Sequence, residues 1–236
     1  MSAFSDSPNH FLSSLSESDR ALLAPHLRPM ELAQGAILFS AEDQISRIYF
    51  PESGVVSIVV GLSTGQFIEA GMFGRNSVIG AGALTNGPTA INQAIGQVSG
   101  RGIVGETTAL KRLVETSETM RPLIAKYEQS TVAQIQQVGA CNAAHTLEER
   151  LSRWLLQVRD LIQSDDLPLT QEFLSQVLAV QRSSVTLIAR SLQEAGFITY
   201  RRGRIHIVDG GALSENGCEC YGAINAHFHR LIGWKP

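Results

Sequence analysis

The segment from Thr170 to Ile207 constrains the fold more than any other part of the chain. It runs from TQEFLSQV through the short turn LAV into QRSSVTLIARSLQEAG, and it ends with FITYRRGRIHI. In the second of these runs Val185, Ile188 and Leu192 recur at helical spacing, which predicts a helix with one apolar side. Two helices joined by a short turn and followed by a hairpin are typical of a winged helix-turn-helix, which this segment is therefore predicted to form.

The other side of the second predicted helix is polar, and the hairpin after it is basic. Residues 181–207 contain five arginines and one acid, Glu194. Guanidinium and hydroxyl groups on such a helix suit hydrogen bonds to base edges in the DNA major groove, and arginines on a wing suit phosphates. The predicted DNA-binding residues are Thr170, Arg182, Ser183, Ser184, Thr186, Arg190, Arg201, Arg202 and Arg204. The alternative is an ordinary packing unit with a solvated basic face, and Ala179 occupies a turn position that often holds Gly.

The rest of the chain divides into segments with different residue patterns. Its 236 residues suggest two domains. Residues 1–28 have a helical pattern, whereas residues 29–115 alternate short β-branched or aromatic runs with glycines, which is typical of an antiparallel sandwich or barrel. A capping box opens the predicted DNA-binding domain, residues 146–212, which residues 213–236 follow as a tail.

Residues 116–145, between these two domains, are predicted to form one long dimerisation helix. Its residues at alternating steps of four and three form the seam of a coiled coil, and this seam is the predicted dimer interface: Met120, Ile124, Tyr127, Thr131, Gln134, Val138 and Cys141. A reader of twofold-symmetric DNA needs a dimer axis, and this helix is the best candidate to supply it. The alternative is that the stripe packs against the barrel of its own chain.

In this order of segments the chain resembles the Crp/Fnr family of bacterial transcription regulators. The resemblance covers residues 29–212 and depends on the winged helix-turn-helix, the long helix and EERLSRWLL (148–156), together with IYFPESGVVSIV (48–59) and the glycines Gly35, Gly54, Gly65 and Gly74. It implies an α+β fold with an N-terminal antiparallel, jelly-roll-like β-roll as a sensory domain, a long dimerisation helix and a C-terminal winged helix-turn-helix. It also implies a homodimer on a twofold-symmetric operator in double-stranded DNA, with RNA polymerase and an unidentified small-molecule effector as further candidate partners.

The chain departs from the cyclic-AMP-binding members of that family in the effector pocket. Those members hold the ribose with a Gly-Glu pair and neutralise the cyclic phosphate with an Arg that follows shortly. Here Gly80 matches the glycine, but Ala81 replaces the acid and Thr89 replaces the Arg. A buried phosphate without a cation is costly, so the pocket is predicted to be degenerate, with backbone amides as the remaining way to hold an anion.

The candidate ligands for metals and haem give a weaker pattern. An iron–sulfur cluster needs about four thiolates, whereas the chain has three cysteines and none before Cys141. Isolated histidines are more often surface residues than haem ligands, and the haem candidates are His10, His26 and His145. The tail contains four residues of types that bind zinc: Cys218, Cys220, His227 and His229. The Cys-x-Cys spacing is tight for one metal ion, which favours a tail that packs on the winged domain instead. The sequence therefore predicts no metal and no cofactor.

The remaining observations concern function class and compartment. No catalytic carboxylate pair, nucleophile elbow or phosphate-cradling loop is recognisable, so the sequence does not predict an enzyme. It has no signal-peptide pattern and no apolar run near the roughly 20 residues of a membrane span, which predicts a soluble, cytoplasmic protein. The predicted function is sequence-specific transcription regulation, and the alternative is a protein-interaction module built from a degenerate β-roll and winged helix. Arg182 matches the family's first guanine-reading Arg, but Ser183 and Leu187 replace an acid and an Arg, so a different operator is expected.

Overall fold

The computed structural model describes residues 4, 6–85 and 87–236, and the N-terminal part of them is a β-roll. Its strands are β1 (Leu27–Leu32), β2 (Ile37–Phe39), β3 (Arg47–Pro51), β4 (Val55–Gly61), β5 (Phe67–Phe73), β6 (Gln93–Val98) and β7 (Gly100–Glu106). They form two antiparallel sheets, in the orders β1-β7-β3 and β2-β6-β4-β5. Two short helices, α1 (His10–Ser14) and α2 (Glu17–Leu23), precede the roll, and a 3₁₀ turn at Ala81–Leu84 precedes β6. The predicted antiparallel β-roll is confirmed.

The roll closes around an apolar core that also takes in the N-terminal helices. Ile48 and Phe50 lie two residues apart on β3, point to the same side of the sheet and are buried. Phe11 of α1 stacks on Phe50, with 5.6 Å between the ring centroids. The turn before β4 requires glycine, because Gly54 has a φ of +80° and a Cβ there would lie 2.5 Å from the carbonyl oxygen of Val98.

Two helices follow the roll, α3 (Thr107–Thr116) and the long α4 (Met120–Ala144). Asp19 of α2 fastens the loop between them, because its carboxylate accepts hydrogen bonds from the hydroxyls of Ser117, at 2.9 Å, and Thr119. Helix α4 has 25 residues. Of the helices in the described part of the chain, none combines the length and the apolar character that a bilayer-spanning segment needs.

The stripe of α4 that is predicted as the dimer seam lies inside the chain itself. Met120, Ile124 and Tyr127 are at most 2% exposed and belong to the core of the roll. Gln134, also buried, donates a hydrogen bond from Nε2 to the carbonyl oxygen of Met72 at 2.8 Å. This half of α4 therefore rests on the roll, which is the alternative that the sequence leaves open.

The C-terminal end of the same stripe is covered by the tail. Val138 shares a core with Ile224 and Phe228, and Cys141 is fully buried. The predicted dimer interface is therefore wrong for Met120, Ile124, Tyr127, Gln134, Val138 and Cys141, and Thr131 between them is half-buried. A four-three spacing identifies a face that is buried, but it does not identify the partner that buries it.

The C-terminal part is a winged helix-turn-helix followed by two further helices. Its elements are α5 (Leu147–Ile162), β8 (Asp166–Leu167), α6 (Gln171–Val177), α7 (Arg182–Glu194), β9 (Ile198–Arg201), β10 (Arg204–Ile207), α8 (Gly210–Glu215) and α9 (Cys220–Ile232). The predicted capping box is present, since Thr146 and Glu149 each accept a hydrogen bond from the backbone N–H of the other. The strands form a small antiparallel sheet in the order β8-β10-β9. The predicted winged helix-turn-helix is confirmed.

The tail begins on the winged domain, as expected, since Leu213 is buried in that domain's core, but its helix α9 packs along α4. Ile224 and Phe228 of α9 lie in the same core as Val138 of α4. A second contact reaches α5, where the hydroxyl of Tyr221 donates to Asp160 Oδ2 at 2.8 Å. The tail therefore connects the long helix to the first helix of the C-terminal domain.

The roll and the C-terminal domain share a core. Val55, Met72 and Val98 of the roll are buried in the same apolar cluster as Trp154 and its neighbours on α5. A polar contact lies beside it, because Glu69 of β5 accepts hydrogen bonds from Trp154 Nε1, at 2.8 Å, and from the hydroxyl of Ser57. Burial raises the pKa of the Glu69 carboxyl above its usual range, against the opposing effect of these two donors.

Candidate nucleic-acid interface

Helix α7 has one buried side and one exposed side, and the exposed side carries the polar groups. Val185, Ala189 and Leu192 are at most 3% exposed and hold the helix against the domain core. Arg182 and Ser183 are exposed in its first turn. Because these two residues open the helix, their side chains extend from its N-terminal end, where a recognition helix meets base edges.

Three of the other predicted contact residues have partners within the chain. The Thr186 hydroxyl donates to Gln171 Oε1 or to the Arg182 carbonyl oxygen, each at 3.0 Å. Thr170 caps α6, since its hydroxyl accepts a hydrogen bond from the Phe173 N–H at 3.2 Å. Arg190, near the C-terminal end of α7, forms an ion pair with Glu194, with Nε 2.7 Å from Oε1. These contacts orient α6 and α7. Ser184, another predicted contact residue, is half-buried and faces a cleft instead of open solvent.

The wing is a two-residue hairpin with a basic tip. Arg202 and Gly203 have φ values of +50° and +75°, the left-handed pair that a type I′ turn requires. Arg201, Arg202 and Arg204 are all exposed around this turn. Positive charge is thus concentrated on one hairpin, where the repeated guanidiniums suit a phosphate backbone.

The wing contacts the start of α6, a contact that sequence reasoning missed. The hydroxyl of Tyr200 accepts a hydrogen bond from the Gln171 N–H at 3.2 Å, and a Cβ on Gly203 would lie 3.3 Å from Thr170 Cγ2. The side chain of Gln171 also reaches Thr186 of α7. Gln171 and Tyr200 therefore join the wing, α6 and α7 into one surface, and the only signal in the sequence is their polar character.

A cleft of about 940 Å³ separates the roll from the helix-turn-helix. One wall is formed by strands of the roll and includes Ile37 and Phe67, which are 57% and 52% exposed. The other wall is formed by the turn between α6 and α7 and by Ser184. Sequence reasoning could not find this cleft because its walls come from distant parts of the chain.

The two positions at which the sequence departs from the cyclic-AMP-binding pattern lie in different surroundings. Ala81, in the position of the family's acid, is 7% exposed and lies in the apolar core of the roll. Thr89, in the position of the Arg, is exposed and accepts a hydrogen bond from Gln44 Nε2 at 2.9 Å. The two positions thus differ in environment, and neither side chain carries a charge.

Comparisons with known proteins agree with this architecture. Residues 149–215 match the sequence model of the Crp-like helix-turn-helix domain. A transcriptional regulator of the Crp/Fnr family from Eubacterium rectale is 15% identical, with a TM-score of 0.66 over 86% of this chain and 95% of that one. For a CRP family regulator from Thermus thermophilus the values are 20% identity, a TM-score of 0.65, and coverage of 79% and 95%. FixK2 from Bradyrhizobium japonicum is 12% identical, with a TM-score of 0.69 and coverage of 81% and 98%. No curated protein sequence matches the chain significantly.

These matches define the overall fold and the kind of domain at residues 149–215. The chain carries a Crp-like helix-turn-helix domain within the overall fold of Crp/Fnr transcriptional regulators. The predicted resemblance to the Crp/Fnr family is confirmed.

Proposed function

We propose that this protein is a sequence-specific DNA-binding transcription regulator that acts as a homodimer. The observation that carries the proposal is the exposure of Arg182 and Ser183 on α7 beside a wing with three exposed arginines. The described regulators of the same fold support it. Residues 29–115 then form the sensory domain and residues 146–212 the DNA-binding domain, and the protein has no catalytic role.

The two kinds of DNA contact are distinguishable by mutation. Arg182→Ala should cost about 1–3 kcal/mol per half-site on the cognate operator and relax the preference at one base pair, because a guanidinium reads guanine with two hydrogen bonds. Arg202→Ala should weaken binding to all sequences alike and lower the salt slope by about one unit for each phosphate that the missing guanidinium would have neutralised. The measurement is a binding titration over a salt series, with an operator selected from random DNA and a scrambled duplex.

A matched control is Arg230→Ala, which removes an exposed arginine from α9 and should leave both affinities unchanged. Equal losses on operator and scrambled DNA for Arg182→Ala would show that Arg182 contacts a phosphate. If the wild-type protein binds neither duplex at low salt, the protein is an interaction module and the proposal fails.

If α4 forms the dimer, a different face of the helix must make the contact, because the predicted seam is buried within the chain itself. Residues at the same four-three spacing on the opposite side of the helix are all exposed: Pro122, Ala125, Gln129, Val132, Gln136, Gly139 and Ala143. Val132 is 53% exposed near the middle of this stripe. Small side chains allow two such helices to approach closely along a coiled-coil seam. We therefore place the homodimer interface on this face.

Light scattering, which measures molecular mass, tests which of the two faces of α4 forms the dimer interface. The wild-type protein should have twice the chain mass of 25.5 kDa, and Val132→Glu should give a folded monomer because it places a charge in the seam. Ile124→Glu should instead unfold the roll, because Ile124 is fully buried within the chain. Val60→Glu, at an exposed valine of β4, is the control and should remain dimeric. A Val132→Glu dimer would contradict this interface.

We also propose that the roll does not bind cyclic nucleotides in the manner of the cyclic-AMP-dependent members. The support is the apolar environment of Ala81 and the absence of any Lys or Arg between Arg75 and Arg101. Calorimetry with cyclic AMP and cyclic GMP should detect no binding below millimolar concentration. Micromolar binding of either nucleotide would contradict the proposal.

A further inference from the structure

Three cysteines and a histidine from distant parts of the chain meet where α4 ends. Cys141 lies in the last turn of α4, and His145 is its C-cap. Cys218 precedes α9 and Cys220 is the first residue of that helix. The four potential ligand atoms all lie within 4.8 Å of one another. Cys141 Sγ is 3.5 Å from Cys218 Sγ, and Cys220 Sγ is 3.6 Å from His145 Nδ1.

These separations match a mononuclear tetrahedral metal site. With zinc–sulfur bonds of about 2.3 Å and zinc–nitrogen bonds of about 2.0–2.1 Å, tetrahedral ligand atoms lie about 3.5–3.8 Å apart. Both distances lie within this range, and since no separation in the cluster exceeds 4.8 Å, binding requires a closure of at most about 1 Å. An iron–sulfur cluster holds its ligands farther apart, because several iron and sulfide atoms lie between them.

The surroundings of the four residues are those of a metal site. Glu219 Oε2 is 3.1 Å from His145 Nε2, so the imidazole can donate to the carboxylate while Nδ1 faces the thiols. A carboxylate on the second nitrogen of a ligand histidine fixes its tautomer and raises its basicity. Gln137 also contacts the cluster, since its Nε2 donates a hydrogen bond to Cys220 Sγ at 3.1 Å.

A buried cation, Arg153, lies beside the cluster. Arg153 is 3% exposed, and its Nε has no hydrogen-bond partner among the described residues. The Arg153 guanidinium lies beside the Cys141 thiol, which also contacts Cys218 Sγ at 3.5 Å. Three thiolates around a divalent ion carry one net negative charge, which a single guanidinium neutralises.

We propose that Cys141, His145, Cys218 and Cys220 bind one zinc ion. This replaces the sequence expectation of no metal, and it changes the ligand set that the sequence suggests. His227 lies seven residues beyond Cys220 on α9, a rise of about 10 Å along a helix, so it cannot share an ion with Cys220. The true partners of the Cys-x-Cys pair lie more than seventy residues earlier in the chain, beyond the reach of any local motif.

The position of the ion assigns it a role in the architecture. His145 ends α4 and the next residue, Thr146, caps α5, so the ion lies at the hinge before the DNA-binding domain. Cys218 and Cys220 connect the same ion to α9, which packs on α4. Zinc therefore fastens the tail to the hinge and restricts rotation of α5 relative to α4. This assignment does not depend on DNA binding.

Metal analysis of the full-length protein tests the site. Protein purified with a reductant and without chelators should contain one zinc per chain by mass spectrometry. Chelated wild-type protein that is refilled with Co²⁺ should show thiolate charge-transfer absorption and the intense visible bands of tetrahedral cobalt. Cys141→Ser and Cys220→Ser should each lose the ion, whereas His229→Ala, at an exposed residue of the same helix, should retain it.

A variant outside the ligand set keeps the test informative if the Cys variants fail to fold. Glu219→Gln should retain the zinc stoichiometry but weaken zinc affinity by roughly 10–100-fold in a competition with a chromophoric chelator. The proposal is overturned if chelated, reduced wild-type protein binds less than about half an ion per chain in excess Zn²⁺. It is also overturned by an octahedral cobalt spectrum, by equal zinc loss in His229→Ala and Cys220→Ser, or by a Cys141–Cys218 disulfide that persists under reductant.

Discussion

The contact between the roll and the C-terminal domain allows a quantitative prediction at Glu69. Glu69 is 5% exposed, and its carboxylate accepts hydrogen bonds from the Trp154 indole and the Ser57 hydroxyl. Glu69→Ala leaves both donors without an acceptor in a buried environment, which costs about 1–3 kcal/mol for each. We therefore expect this substitution to lower the free energy of unfolding by about 2–6 kcal/mol.

Replacement by glutamine separates hydrogen bonding from charge. Gln retains an acceptor oxygen for Trp154 and cannot ionise. Because burial raises the pKa of Glu69, the protonated side chain is favoured in the folded state. Its contribution to the stability of the wild-type protein is fully present below the unfolded-state pKa and is lost as pH rises through the folded-state pKa. The stability of Glu69→Gln relative to the wild type should therefore grow as pH rises above about 4.5, by at most about 1.4 kcal/mol per pH unit.

Urea denaturation followed by circular dichroism, at several pH values between about 4.5 and 8, measures both effects. Glu31→Gln is a matched control, because it removes an exposed acid from β1 and should give a difference that does not depend on pH. Equal stabilities of the Ala and Gln variants would refute the assigned hydrogen bonds. A pH-independent difference between Glu69→Gln and the wild type would refute the raised pKa.

Two further predictions concern backbone geometry, and thermal or urea denaturation tests both. Gly54→Ala should cost about 2–5 kcal/mol, because the new Cβ meets the carbonyl oxygen of Val98 at 2.5 Å in addition to the strain of a positive φ. Gly65→Ala has the same sign of φ but nothing within 4 Å, so it should cost only about 1 kcal/mol, and similar losses at both positions would contradict the steric argument. Ala179→Gly should stabilise the protein by about 0.5–1 kcal/mol, because Ala179 has a φ of +55°. Ala195→Gly, at a φ of −73°, should instead destabilise it, and the same sign of change at both alanines would refute the left-handed turn.

The elements that sequence patterns predict well are those whose signals are local. Thr146 and Glu149 form the capping box at the predicted place, and the glycine-punctuated strands form the antiparallel roll. Ala179 occupies a turn position that often holds Gly, and its φ of +55° explains that preference. The assignment of individual DNA contacts remains a prediction, since α7 shows which side chains are exposed but not what they bind.

The elements that the sequence conceals depend on contacts between distant segments. The four-three stripe of α4 is a correct indication of a buried face, yet Met72 and Phe228, which help to bury it, lie on β5 and α9. Glu69 is an acid within a strand run, and a strand pattern alone places such an acid on the solvent side. It is buried because α5 covers that part of the sheet and Trp154 supplies a donor.

The shared core sets the energy scale for moving the DNA-binding domain. Val55, Met72 and Val98 of the roll are at most 4% exposed against α5 and its neighbours, and burying such a side chain contributes about 1.5–3 kcal/mol. Moving the C-terminal domain fully away from the roll exposes all three side chains, which costs roughly 5–9 kcal/mol. Inverting a conformational equilibrium from 1:99 to 99:1 takes about 5.5 kcal/mol of difference in ligand-binding free energy between the two states. The two figures overlap, so a full separation costs at least about as much as a ligand must supply to invert an ordinary two-state equilibrium. Small rotations of α5 that keep this core closed avoid that cost, so the shared core favours them over a full separation of the two halves.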